Sequence, residues 1–408
     1  MAGWNRLSFA VFAGCLAVEA AWAAPGDHFD VRPDTLPAPH TTHPDNLDMR
    51  IVPAPAYALP QAPAGFEVKA FSERMENPRS LAVAPNGDVY VVQENRGIVT
   101  RLRDTNGDGK ADGMEDFAAG FRGPHGIAIR GDYIYIADTI AVWRAKYKGN
   151  NTVDAGRFQR LTTAHDLRPG GEHDTRDIVL DSKGRIYLAI GGRNDLSEPK
   201  SFEGTIQMVN DDGSLTPFAT GLRNVEGLAF YPGTDDLWVT VNERNKLGAR
   251  LPPDYFARVK QGDFFGWPYA YAGPNPDPDF GALRPDLVKA TRKPEILFEA
   301  HSAPLGLVFY TGKQFPPQYR GDAFVALHGS GPYDKPDGYK IVRIRFKNGK
   351  PLGGYEDFVT GFANAGIIRL SVWGMPSQLA VAKDGSLLIA DDTAARVWRV
   401  FYKGQPPP

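Results

Sequence analysis

Histidine and arginine recur at one place in a repeated pattern of this chain, directly ahead of or at the start of a short apolar run. The positions are Pro78-Arg79, Pro124-His125, Glu172-His173 with Arg176, Arg223-Asn224 and His301-Ser302, and a further one, Trp373-Gly374-Met375, carries no cation. A lone imidazole or guanidinium at a strand start is ordinarily a turn or surface residue. The same offset filled in independent repeats predicts that these groups converge, and convergent cations and imidazoles suit a polyanionic ligand in a concave site.

A second constellation is Asp104-Thr-Asn106-Gly-Asp108-Gly109-Lys110-Ala-Asp112-Gly-Met-Glu115. Its oxygen donors stand at loop positions 1, 3, 5, 9 and 12 with glycine at 6, which is the calcium-loop template. Asp104, Asn106, Asp108, Asp112 and Glu115 are therefore candidate Ca2+ ligands, in a loop that needs no flanking helices; an acidic Asp-Gly turn without metal would use the same residues. In Asn242-Glu243-Arg244-Asn245, Glu243 could serve a hard cation or pair with a neighbouring arginine, and the residue types leave both open. The aromatic run Phe264 to Tyr271 reads as loop packing. The sequence has no GxGxxG opening a helix, no P-loop, no HExxH and no GxSxG elbow, and a Ser-His-Asp triad has no local sign.

The elements that must position these groups are short strands. An apolar strand, a turn with Asp, Asn or Lys before Gly, a second apolar strand, a polar turn and a third strand recur at 80–102, 126–147, 177–192, 227–244, 306–330 with KIVRIRF, and 378–402. Six such meanders, none able to bury both faces alone, predict an all-β, six-bladed β-propeller over residues 65–404, with an open sandwich of the same strands as the alternative. The 44 Gly and 34 Pro in 408 residues suit short strands and tight turns, and propellers of this length are commonly one domain. Residues 24–64, rich in Pro, Asp and His and without periodicity, read as an arm or linker, and 405–408 as a tail.

A formal net charge of −2 offers no basic field for a nucleic acid. Residues 1–23 have a positive start, a short apolar stretch and the Ala21-Trp22-Ala23 site of an export leader, which predicts cleavage before Ala24 and a periplasmic or secreted protein with no transmembrane segment in the mature chain. Cys15, the only cysteine, lies inside the leader; the mature chain then has no disulfide, thiol nucleophile or Cys-x-x-Cys-His haem site. Phe12-Ala13-Gly14-Cys15 as a lipobox, anchoring the protein through Cys15, is the minor alternative.

The stretches APAGFEVKAF, ENPRSLAVAPNGDVYVVQENRGIVTRLRDTNGDGKAD, GPHGIAI, EHDTRDIVLDSKGRIYLAIGGRND and GLRNVEGLAF resemble the glucose/sorbosone dehydrogenase family, sorbosone dehydrogenase-like branch. So do NERNKLGARLPPDY, FFGWPYAY, the His328-Gly329-Ser330 segment with GYKIVRIRF, and the closing LAVAKDGSLLIADD, so the resemblance runs from residue 60 to 404. It implies a six-bladed propeller with pyrroloquinoline quinone (PQQ) and calcium at the channel mouth, oxidising an aldose or aldehyde carbon. It also implies a separate electron acceptor, since no haem motif is present.

By this resemblance His173 is the general base that takes a hydroxyl proton, for which imidazole basicity is suited near neutral pH. Arg223 and Asn224 match the pair that holds the quinone oxygens, Arg223 also stabilising charge as the quinone is reduced. Arg79 and His125 match cofactor-facing positions, where a guanidinium fork suits carboxylates, and Arg176, from the same strand-start offset, is a further candidate cofactor contact. Glu243 falls in a calcium-binding segment. The chain departs from the family pattern in three places: Met375 stands where Trp-Gly-Arg-Pro has its arginine, Gly331-Pro332-Tyr333 follow His328-Gly329-Ser330 in place of Trp-Asn-Arg, and Asn245 replaces an acid. His328 and Lys340, or Lys335, are then the candidate cofactor contacts in that segment. Two other readings share the scaffold: a calcium-dependent lactonase or hydrolase, and a non-catalytic propeller that binds carbohydrate or protein.

Overall fold

The computed structural model describes residues 23–42, 48–55, 57–147, 157–163, 167, 171, 173–329, 337–365 and 369–404. Residues 1–22 of the expected leader, including Cys15, and the tail 405–408 lie outside them, as do Glu172, Ser330 and Lys335. The described chain is all-β apart from a few 3-10 turns and one short α-helix, Pro285–Ala290.

Six sheets of four or five antiparallel strands follow one another along the described chain, each on one of the sequence repeats. Their first strands are Pro78–Val83, Gly126–Arg130, Ile178–Leu180, Asn224–Phe230, Pro304–Phe309 and Pro376–Val381. Each pairs with a second strand, and the second strands Val89–Gln93, Ile186–Ile190, Ala323–Leu327 and Leu387–Asp391 are buried at every residue. They are apolar throughout except for Gln93 and Asp391 at two of their ends, because both faces are covered and no solvated side is left for alternating polar residues. The last sheet takes its outer strand, Phe66–Ser72, from the start of the folded body, so the two ends of the body are joined by backbone hydrogen bonds.

The first strand of each sheet touches the first strand of the next, and Pro376–Val381 touches Pro78–Val83, so these strands follow a cyclic order. Their approach is close: a Cβ on Gly227 would run into the Leu305 carbonyl oxygen of the following first strand. Four first strands carry a register shift near their start, and in two of them the skipped residues are Arg79 and Glu226. A bulge of this kind leaves its extra residue out of the ladder and re-aims its side chain.

The arm is held at several points. His28–Phe29 adds to the fifth sheet beside Tyr355–Val359, Val31 bridges Leu297, the His40 N–H donates to Leu247 O at 2.6 Å, and Asp48–Ile51 runs parallel to Arg369–Val372. No helix among the described residues is long and apolar enough to cross a membrane.

Candidate active site

At one end of the ring of first strands the charged side chains of separate sheets meet. Arg79, from the bulge of the first sheet, places Nε 3.1 Å from His125 Nε2 and donates from Nη1 to Asp392 Oδ2 at 3.0 Å, while Nη2 lies 3.6 Å from Glu226 Oε2. His125, just ahead of the second sheet, also has Nε2 3.3 Å from Glu226 Oε2. His328, at the end of the second strand of the fifth sheet, reaches Asp392 Oδ2 at 3.0 Å, and Asp392 follows the second strand of the sixth. Glu226 Oε1 accepts from Asn224 Nδ2 at 2.6 Å and from Thr175 Oγ1 at 3.0 Å, so the third and fourth sheets contribute too. The expected convergence of Arg79, His125, Asn224 and His328 is thus built around two carboxylates, Glu226 and Asp392, that neither periodicity nor motif had marked.

Both carboxylates are buried and ionised. Burial pushes the Glu226 carboxyl up, but the hydrogen bond and charge of His125, with Arg79 and Asn224, bring it down to about 2. Asp392 likewise overcomes its burial through His328 and Arg79 and sits well below the carboxylate range. Asp177 is the opposite case: buried, with only partial relief from the charge of His125, it is raised to about 7. The His125 ring itself sits between a guanidinium that only donates and a carboxylate that only accepts. Its Nε2 serves one or the other, and in either case Nδ1 is a buried atom with no hydrogen-bond partner among the described residues.

His173 approaches from the segment ahead of the third sheet. Its Nδ1 lies 2.6 Å from Gly192 O; a carbonyl only accepts, so Nδ1 carries the hydrogen and the lone pair of the neutral ring falls on Nε2. Arg176 pins the same segment by donating from Nη1 to the carbonyls of Thr175 at 2.6 Å and His173 at 3.2 Å, and burial lowers its guanidinium to about 10. Gly191 sits against both His173 and Asn224: a Cβ there would stand 2.5 Å from Asn224 Oδ1 and 2.7 Å from His173 Cβ.

Arg223, expected beside the ligand with Asn224, turns the other way. It donates to Asp195 Oδ1 at 3.0 Å, to the Asp195 carbonyl at 3.2 Å and to the Glu243 carbonyl at 2.7 Å, while Trp267 Nε1 also donates to the Asp195 carbonyl. Arg223 sits in the bend ahead of the strand that Asn224 opens, and its contacts hold it away from Asn224. Glu243 is buried and raised to about 8 by desolvation, only partly offset by Arg223. The neighbouring Arg244 pairs with Asp277 at 2.6 Å and Asp279 at 3.2 Å. Of the aromatic run, Phe265, Trp267, Tyr269 and Tyr271 are buried, as packing residues should be.

Other expected positions lie apart from the cluster. Lys340 pairs with Asp357 at 2.8 Å under the Phe29 ring, His301 donates to Gly248 O at 2.9 Å, and Met375 is packed in an apolar cluster with Trp373 and Trp398. In the loop expected to take calcium, Asp104 accepts from the N–H groups of Gly107 and Gly109, Asp108 from that of Lys110, and Asp112 from those of Thr105 and Asn106. Glu115 is in the strand Gly113–Ala119 and pairs with Arg101. Asn106 Nδ2 donates to Asp108 Oδ2 at 3.2 Å and to Asp112 Oδ1 at 3.0 Å, so these three meet while Glu115 turns to Arg101, and no group of three or more His, Cys, Asp or Glu among the described residues is arranged to hold a metal, Glu243 included. As folded, these residues do not fit a calcium ion.

The family model described as glucose / sorbosone dehydrogenase matches residues 75–331, more than half of the chain. The chain belongs to the glucose/sorbosone dehydrogenase family. A second family model, described as TrAA12-like, matches residues 287–401 of this family member. An uncharacterized protein of Borreliella burgdorferi is 26% identical over 366 residues, covering 84% of this chain and 91% of its own length. Aldose sugar dehydrogenase YliI of Escherichia coli is 23% identical over 304 residues, covering 66% and 79%. Among solved structures, the holo form of the PQQ domain of a pyranose dehydrogenase from Coprinopsis cinerea has a TM-score of 0.71 at 20% identity, covering 86% of this chain and 98% of that one. At that identity the likeness concerns the fold, and the all-β architecture of this glucose/sorbosone dehydrogenase family member agrees with it.

Proposed function

We propose that this member of the glucose/sorbosone dehydrogenase family is an exported, quinone-dependent oxidoreductase of an aldose or related aldehyde, built as a six-bladed propeller with its site at one end of the channel. The six consecutive sheets and the cyclic order of their first strands support the propeller. The observation that carries the chemistry is the bond between His173 Nδ1 and Gly192 O, which leaves Nε2 as the acceptor in the neutral ring. In this reading His173 Nε2 takes the proton of the substrate hydroxyl as the carbon that bears it is oxidised.

The buried, unmatched His125 Nδ1 supports a polar ligand at the cluster. Arg79, His125 and Asn224 would hold pyrroloquinoline quinone there, with Arg176 fixing the segment that bears His173. Bound pyrroloquinoline quinone supplies the acceptor for the hydride that leaves the substrate carbon. Arg223 acts from behind, holding the turn at Asp195 and the start of the Glu243 segment. Electrons then pass to a separate carrier.

The test is a titration of the purified mature protein with pyrroloquinoline quinone, followed by the cofactor's absorbance. Saturable one-to-one binding at micromolar or tighter affinity is expected. Absence of binding would leave the scaffold to hydrolysis or recognition.

A further inference from the structure

Glu226 reaches four other side chains of this cluster, Asn224, Thr175, His125 and Arg79. It does so with both oxygens, Oε1 accepting from Asn224 and Thr175 and Oε2 within ion-pair reach of His125 and Arg79. Arg79 meets a second carboxylate on its other side, Asp392 at 3.0 Å, which also receives His328. With Glu94 Oε2 also 3.8 Å from its Nε, the positive charge of Arg79 is opposed by three carboxylates before any ligand arrives, in a buried setting where screening by water is weak. His125 and His328 each face one of the same two carboxylates.

We propose that Glu226 is the specificity-determining residue of this site: it holds Arg79, His125 and Asn224 in place while cancelling cationic charge, so that the site tolerates a carboxylated ligand less strongly than its cations alone would allow. The proposal rests on the dehydrogenase reading above. A group that only held the architecture together would weaken ligand binding when altered. A group that also opposes an anionic ligand strengthens it when its charge alone is removed, and that difference of sign separates the two roles.

The experiment is absorbance titration of pyrroloquinoline quinone, a tricarboxylate, into the wild-type protein and the near-isosteric Glu226→Gln variant at low and high salt. Circular dichroism and a melting curve establish that each variant is folded. Glu226→Gln is expected to bind about tenfold more tightly or better at low salt, and most of the gain is expected to persist as salt is added, because buried charges are screened little. Should Glu226→Gln fail to fold, Asp392→Asn carries the same expectation through Arg79 and His328. Equal or weaker binding by a folded variant, with the wild type binding, overturns this proposal and leaves the dehydrogenase reading standing. Binding by the variant alone supports the proposal and removes pyrroloquinoline quinone as the wild-type cofactor. Binding by neither overturns both.

Discussion

The Nδ1 atom of His173 donates to the carbonyl oxygen of Gly192 across 2.6 Å. A hydrogen bond of this kind sets which ring nitrogen carries the proton and holds the plane of the ring, and both are requirements on a general base. His173→Ala is expected to abolish turnover while quinone affinity stays within a fewfold of wild type, read by steady-state assay and absorbance titration. Unchanged turnover would remove His173 from the reaction.

Gly191 tests the same geometry from its far side. The Cβ of Gly191→Ala would crowd Asn224 Oδ1 at 2.5 Å and His173 Cβ at 2.7 Å, so one of the two must move. Overpacking of this sort costs about 1–3 kcal/mol, and a displaced base costs rate as well. A loss of turnover of roughly tenfold or more, with a lower melting temperature, is the expected result. A melting temperature and turnover both at wild-type values would mean that His173 and Asn224 are not held as described.

The carboxylates make stability depend on pH in two opposite ways. Glu226 is lowered from 4.5 to about 2, so its contribution is complete above pH 4.5 and is lost as pH falls toward 2. Asp177 is raised from 3.8 to about 7, so the fold favours its neutral form and stability declines as pH rises between those values. Denaturant titrations across pH 3 to 8 should show Glu226→Gln losing part of the acid-side slope and Asp177→Asn losing part of the decline toward neutrality. Slopes identical to wild type in either variant would contradict the assigned direction.

Export makes a separate prediction. The backbone nitrogen of Ala24 lies 3.0 Å from Asp27 Oδ2. Cleavage before Ala24 would turn that amide into an ammonium already beside a carboxylate, a charge-assisted contact. Mass spectrometry of protein recovered from the exported fraction should read Ala24 as the first residue. An intact leader, or lipid on Cys15, would replace this expectation.

The repeats, the turns between their first two strands and the buried runs at Val89–Gln93 and Leu387–Asp391 were legible in the sequence, because each rests on local patterns of period and turn chemistry that act within one meander. The sequence also marked Arg79, His125 and Asn224, since each stands at or just ahead of the start of a first strand. Glu226 was not legible: alternation along Asn224–Phe230 gives no special place to residue 226, and only the bulge between Val225 and Gly227 releases it from the ladder. Asp392 is near Arg79 through a contact between residues 313 positions apart, which no local pattern carries. Arg223 parted from Asn224 because Asp195 and the Glu243 carbonyl, on other segments, hold it, whereas the acidic loop at Asp104 closed on its own N–H groups, a local outcome that residue types shared with a metal loop do not distinguish. Residue types and spacing say which groups are available. Which of them face one another, and with what charge, is decided by how separately legible sheets, their first strands in cyclic order, pack against one another.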